Sequence, residues 1–151
     1  MKSLLDQRRL LAFSQFRRQR GEQAVLRVQR QLPPLRQEQS AFEEQEAALQ
    51  RLLSSHQAND CVLDHGQLLA LLRTQAVIRR RIDLLRVERD RVDQQYRQIE
   101  QQLQAQREQL RGLQRKQDKY ARGVQQLLRG QRLEAVRREE RELEEMIGVR
   151  R

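Results

Sequence analysis

Along the second half of the chain, apolar residues recur at alternating intervals of three and four. The series runs Leu68, Leu71, Gln75, Ile78, Ile82, Leu85, Arg89, Val92, Tyr96, Ile99, Leu103, Gln106, Leu110, Leu113, Gln117, Tyr120, Val124, Leu127, and fourteen of its eighteen positions are apolar. A helix that keeps this spacing over about eight heptads without a proline reads as one arm of a coiled coil. After Gly130 the phase slips. Leu133, Val136, Leu143 and Ile147 restart a stripe displaced by two positions, which predicts a local change of supercoil or a different partner. A weaker copy occupies the first half at Val25, Val28, Leu32, Leu35, Gln39, Phe42, Glu46, Leu49 and Leu53, with Pro33-Pro34 inside it. Proline removes an intrahelical donor and disfavours α geometry at the residue before it, so a kink or break is expected near 33–34. Before about residue 20 the stripe blurs, because Leu4, Leu11, Phe13 and Phe16 do not hold one phase cleanly.

Between the halves, Ser54-Ser55-His56-Gln57-Ala58-Asn59-Asp60 has turn composition and no periodicity. Asp64-x-x-Gln67 then has the form of a capping box and marks a helix start. A short connection favours antiparallel neighbours. The expected fold is therefore all-α: an antiparallel two-helix coiled-coil hairpin with unequal arms, in one domain over 1–151. The first arm covers about 3–57, the turn about 58–63 and the second arm about 64–147. At 1.5 Å per residue the second arm is longer by about 40 Å. Folding near residue 60 sets Met1 opposite roughly residue 120, and the last thirty or so residues overhang as a lone helix. Such a helix is marginal in water, so it is expected to dock into a partner.

Composition supports long helices over a globule. Of 151 residues, 34% are charged and 3% aromatic, there is no Trp, and Gly and Pro number six and two. At this polarity the competing state is disorder, and the periodicity decides against it. The formal net charge of +10 is uneven. Residues 1–40 carry nine basic and three acidic side chains, 41–70 one and five, 71–133 sixteen and seven, and 134–151 five and six. One cysteine, Cys61, rules out a disulfide within the chain and suits a reducing compartment. The N-terminus lacks a signal-peptide core, and the apolar cluster Leu68–Leu72 is too short to span a bilayer. A soluble cytoplasmic protein is expected.

No catalytic constellation is present: no P-loop, HExxH, GxSxG or paired-cysteine metal site. The expectation is a protein that is not an enzyme and holds no metal or cofactor. His56 and His65 flank the turn with Asp60 and Cys61 nearby. They read first as solvated turn residues and only second as ligands. Arg79-Arg80-Arg81, with Arg73 and Arg86, forms a basic turn that nucleic acid could neutralise. Asp83, Glu88, Asp90 and Asp93 dilute it, and stacking aromatics are absent. A solvated flank or a protein-docking face fits better. Leu69 and Leu72 exceed what one seam needs and serve either tip packing or a partner. Phe13 and Phe16 lie among Arg8, Arg9, Arg17, Arg18 and Arg20. Aromatic anchors rimmed by arginine have the composition of interface hot spots, although an ordinary coiled-coil end has it too.

Several blocks resemble the InvI/SpaM group of type III secretion proteins, related to YscO and to the flagellar export protein FliJ. They are Gln7-Arg8-Arg9 followed by Phe13, Leu26-Arg27-x-Gln29, Leu71-Leu72-Arg73-x-Gln75-x-x-x-Arg79-Arg80-x-Ile82, Arg115-Lys116-x-x-x-Tyr120-x-Arg122, and Glu144-Glu145-Met146-Ile147. Their order and spacing cover nearly the whole chain, and Pro33-Pro34 departs from the group's pattern. The resemblance implies an antiparallel coiled coil similar to the long helices of the F-type ATPase γ subunit. It implies insertion into the pore of a hexameric secretion ATPase and a link to the cytoplasmic domain of the export gate. Flagellar relatives also bind secretion chaperones, which adds these to the expected partners.

Carried onto this sequence, ATPase contact falls to Arg8, Arg9, Phe13 and Arg17 of the first arm and to Tyr120, Arg122, Arg129 and Arg132 of the second. Gate contact falls to Leu71, Gln75, Ile78, Arg79 and Ile82. Four of those five are also seam positions of the coiled coil, so the two roles compete. The expected function is a cytoplasmic central stalk, peripheral to the inner-membrane secretion apparatus of a virulence system. The alternatives are a basic coiled-coil nucleic-acid-binding protein and a homo-oligomeric structural coiled coil.

Overall fold

The computed structural model describes residues 3–57 and 62–149, which form three helices: α1 (Leu4–Gln29), α2 (Leu32–Ser55) and α3 (His65–Val149). There is no strand among the described residues. The all-α expectation therefore holds, and so does the inequality: α1 and α2 contain 26 and 24 residues against 85 in α3. Ala58–Cys61, most of the expected turn, lie outside the described residues, and with them the expectations for Asp60 and Cys61.

Local chemistry accounts for the helix ends. Ser3 Oγ accepts the Asp6 N–H at 3.1 Å and donates to the Asp6 carboxylate at 2.8 Å. The capping box at α3 is present: Gln67 N–H donates to Asp64 Oδ1 at 2.7 Å and Asp64 N–H to Gln67 Oε1 at 3.2 Å. Two of the orphan donors at the helix start are thereby satisfied. At the end of α2, the Ser54 and Ser55 hydroxyls donate back to the Gln50 and Leu52 carbonyls at 3.0 and 2.7 Å.

The proline pair breaks the first arm by only two residues. Arg30 and Gln31 form a turn, with Gln31 N–H donating to the Val28 carbonyl at 3.1 Å. Gln31 keeps right-handed helical angles, φ −79° and ψ −18°, and the prolines fall in the first turn of α2. Their missing N–H groups would have had no intrahelical partner there. The spacing of four from Val28 to Leu32 preserves the phase of the stripe across the break.

The chain forms two compact units, one of residues 1–26 with 105–151 and the other of residues 27–104. In the second unit, α2 and the first part of α3 meet in antiparallel order. Gln39 Nε2 donates to Asp93 Oδ1 at 2.7 Å, and the Arg36 guanidinium lies 5.8 Å from the Tyr96 ring centre. Glu46 accepts from Arg86 at 2.8 Å and Arg89 at 3.1 Å, and Gln75 Nε2 donates to the His56 carbonyl at 2.7 Å. Ile78, Ile82, Leu85 and Val92 are buried along this contact, and Leu103 is buried further along α3. Burial of each such side chain contributes about 1.5–3 kcal/mol.

In the first unit, α1 faces the later part of α3, again in antiparallel order. Gln7 meets Gly123, Arg18 Nη1 donates to Gln117 Oε1 at 3.1 Å, and Gly21 meets Leu110 and Leu113. Here the expectation of a blurred stripe is corrected. Leu4, Gln7, Leu11, Ser14, Arg18, Gly21 and Val25 are all buried or half-buried, in unbroken steps of three and four. The phase never lapses; between Leu4, Leu11 and Val25 the seam positions are filled by the polar or small residues Gln7, Ser14, Arg18 and Gly21. Space explains Gly21, where an added Cβ would lie 3.2 and 3.3 Å from the Cδ1 atoms of Leu110 and Leu113. Phe13 and Phe16, the bulkiest side chains of α1, point outward and are 59% and 55% exposed.

Candidate partner-binding surfaces

Of the residues assigned to ATPase contact, Arg8, Arg9, Phe13 and Arg17 are exposed on α1, and Arg122, Arg129 and Arg132 are exposed on α3, while Tyr120 is half-buried. The unit of residues 1–26 and 105–151 thus contains all eight. They do not converge on one point. Phe13 and Arg17 belong to a shallow groove that also includes Phe16, Arg20, Gly21 and Leu113. Arg17 lies over the Phe13 ring and Arg20 over the Phe16 ring, each at 5.8 Å. This cation–π stacking holds the aromatic edges outward under a cationic cover. Tyr120 and Arg122 line a second groove with Gln7, Arg115, Lys119 and Gly123. Gly123 opens it: the Gln7 Oε1 atom sits 3.2 Å from where a Cβ would stand. Phe16 and Arg20 are the residues that the residue-by-residue carry-over left out. Their signal was the i, i+3 spacing of two phenylalanines off the seam phase.

Residues 131–149 are exposed throughout. Leu133, Val136, Leu143, Met146 and Ile147 are 49–62% exposed, although they are spaced as a helix seam. α3 stays helical through Gly130, so the phase slip leaves the helix intact and removes only the contact.

The five residues assigned to gate contact fall on α3 in the other unit. Ile78 and Ile82 are buried at 6% and 3% exposure. Leu71 and Gln75 are half-buried, with Gln75 engaged by the His56 carbonyl, and Arg79 is exposed. The seam role of Ile78 and Ile82 is thus visible in the packing. Around them the outward apolar residues are Leu68, Leu69, Leu72, Val77, Leu84 and Val87, all at least 40% exposed. Among the basic residues here, Arg86 is held even more firmly protonated than usual by its hydrogen bond to Glu46 and by the carboxylate's charge.

His56 Nδ1 is 2.9 Å from the Leu52 carbonyl, an interaction that completes the end of α2. Among the described residues no group of His, Cys, Asp and Glu could hold a metal ion, and no helix is long and apolar enough to cross a membrane.

A family model described as Salmonella surface presentation of antigen gene type M protein matches residues 5–147, from the first turn of α1 to the last turn of α3. The chain belongs to this family. The resemblance drawn from the sequence blocks is thereby borne out, and the protein is a type III secretion protein. No curated protein and no solved structure matches it.

Proposed function

We propose that this family member is the central stalk of its secretion system, a cytoplasmic antiparallel coiled-coil hairpin that enters the pore of the hexameric secretion ATPase. One observation carries the reading. The unit of residues 1–26 and 105–151 presents an uncovered end of α3 with an exposed apolar stripe, and its α1 turns Phe13 and Phe16 outward among arginines. A helix that buries Ser14, half-buries Arg18 and Gly21 and exposes two phenylalanines is suited to meet something else on its outer face. Arg8, Arg9, Phe13 and Arg17, with Tyr120, Arg122, Arg129 and Arg132, supply the ring contact, and their charge suits a pore lined by carboxylates and carbonyls. The stalk carries no chemistry of its own; hydrolysis belongs to the ring, and the stalk links it to the export gate. Secretion chaperones are further partners.

Gate contact by Leu71, Gln75, Ile78, Arg79 and Ile82 requires the α2–α3 seam to loosen, since Ile78 and Ile82 are buried in the chain alone. Arg79 and the edges of Leu71 and Gln75 are accessible without it.

The test is co-purification with the cognate ATPase, read as co-elution and ATP turnover at low and moderate salt. The proposal predicts a complex and a several-fold rise in turnover as the ring assembles. Absence of co-elution together with unchanged turnover contradicts it, and salt-sensitive capture of generic RNA or DNA in its place favours a nucleic-acid-binding protein.

A further inference from the structure

We infer that Glu46 and its two arginines form a register latch, which holds α2 one heptad short of the alignment that apolar burial alone favours. Glu46 occupies a seam position of α2 between Phe42 and Leu49, and Arg89 a seam position of α3 between Leu85 and Val92. The Glu46 side chain is only 17% exposed. Arg86 Nε donates to one of its carboxylate oxygens at 2.8 Å and Arg89 Nη1 to the other at 3.1 Å. A polar residue in a seam lowers stability but fixes alignment, because only one alignment gives it its partners. The other polar seam residues of these arms agree with the same alignment: Gln39 reaches Asp93, and Gln75 reaches the His56 carbonyl.

The apolar residues favour a different alignment. α2 ends at Ser55, and the contact of Gln75 with His56 marks how far it reaches along α3. Leu68 continues the α3 stripe beyond that level and stays exposed, and Leu71 is only half-buried. Sliding α2 by seven residues toward the bend, about 10 Å, keeps both stripes in phase. It sets Leu53 against Leu71 and His56 against Leu68, so the uncovered leucines gain a neighbour. The connection permits the movement, because sliding brings the two helix ends joined by residues 57–64 closer together. α1 would follow, and between Leu4, Leu11 and Val25 its seam holds only Gln7, Ser14, Arg18 and Gly21. The cost falls on the latch. Glu46 would exchange its two arginines for Arg79 alone, beside Ile78 and Ile82, and Arg89 would face Gln39 without a seam carboxylate. Taking one partner from a largely buried charge pair costs more than the pair itself contributes. The latch therefore sets which residues of α3 the first arm covers, and with them the length of helix left bare at the chain's end. It holds whether or not the protein is a stalk.

The experiment is a pulsed electron-spin distance measurement on the full chain. Spin labels are placed at Arg51→Cys and Arg97→Cys, two exposed positions, in a Cys61→Ser background. With Glu46 and Arg89 in place, a single distance is expected. Glu46→Leu with Arg89→Leu is expected to melt at or above the temperature of the parent chain, with unchanged helicity by circular dichroism, and to add a second population about 10 Å longer. Adding Leu68→Gln and Leu71→Gln is expected to return the single distance. A double-leucine variant that keeps only the parent distance overturns the inference, since the bend and the apolar seam then set the alignment unaided. One that loses helicity or melts more than about 5 °C lower overturns it too, because the layer then supplies strength in place of alignment. So does a longer population that persists with both glutamines present, which removes the leucines at the bend as its cause.

Discussion

Ile82→Ala is expected to destabilise the protein by about 2–4 kcal/mol, whereas Val87→Ala, five residues further along the same helix, changes stability by less than about 0.5 kcal/mol. The two side chains are chemically alike and differ in burial: Ile82 is 3% exposed and Val87 60%. Removing three carbons at Ile82 leaves a void between α2 and α3 that a helix pair held by seven-residue repeats closes only in part. Removing two at Val87 leaves water where water already was. Thermal unfolding followed by circular dichroism reads the difference, with a fall in Tm of roughly 5–15 °C expected for the first variant. Equal melting curves would mean that the packing about Ile82 is not what holds this unit together. Loss of gate binding by Arg79→Ala with an unchanged melting curve, set beside Ile82→Ala, separates a docking contact from a seam contact.

The second large effect is expected on binding without loss of stability. Replacing Phe13 and Phe16 together by alanine leaves Tm within about 2 °C, since exposed side chains contribute little to folding. The same double substitution weakens capture of the secretion ATPase about 30-fold or more, the scale of an interface anchor of 2 kcal/mol and above. Phe42→Ala is the internal comparison. Phe42 is half-buried on the seam face of α2, so its loss lowers Tm and leaves ATPase capture intact. Titration calorimetry beside thermal melts gives both readouts on the same samples.

The arms were legible wherever apolar residues marked the seam. Every position of the α3 stripe from Leu71 to Leu127 is buried or half-buried, and so is every position of the first-arm stripe from Val25 to Leu53. The Asp64–Gln67 box was readable because its two side chains reciprocate with the backbone over a fixed span of three residues. The N-terminal part of α1 was not legible. Hydrophobicity marks a seam only when the seam is hydrophobic, and there Gln7, Ser14, Arg18 and Gly21 sit against α3 while Phe13 and Phe16 face out. Extending the phase backward from Val25 in steps of four and three, without regard to residue type, would have found it. The effect of Pro33-Pro34 was legible only as a break of unspecified size, because the two-residue turn that absorbs it depends on Gln31 keeping helical angles. For the candidate surfaces, spacing placed Ile78 and Ile82 in the seam and the resemblance placed them at the gate. Burial sorts these by showing which side chains the folded chain already uses.

The most direct measurement is site-specific photo-crosslinking in cells that carry the assembled apparatus. A photoreactive side chain at position 13 or 147 is expected to capture the secretion ATPase, and one at position 52, near the end of α2, is expected not to. Capture of the ATPase from position 52 but from neither 13 nor 147 would contradict a stalk that enters the ring by its chain ends.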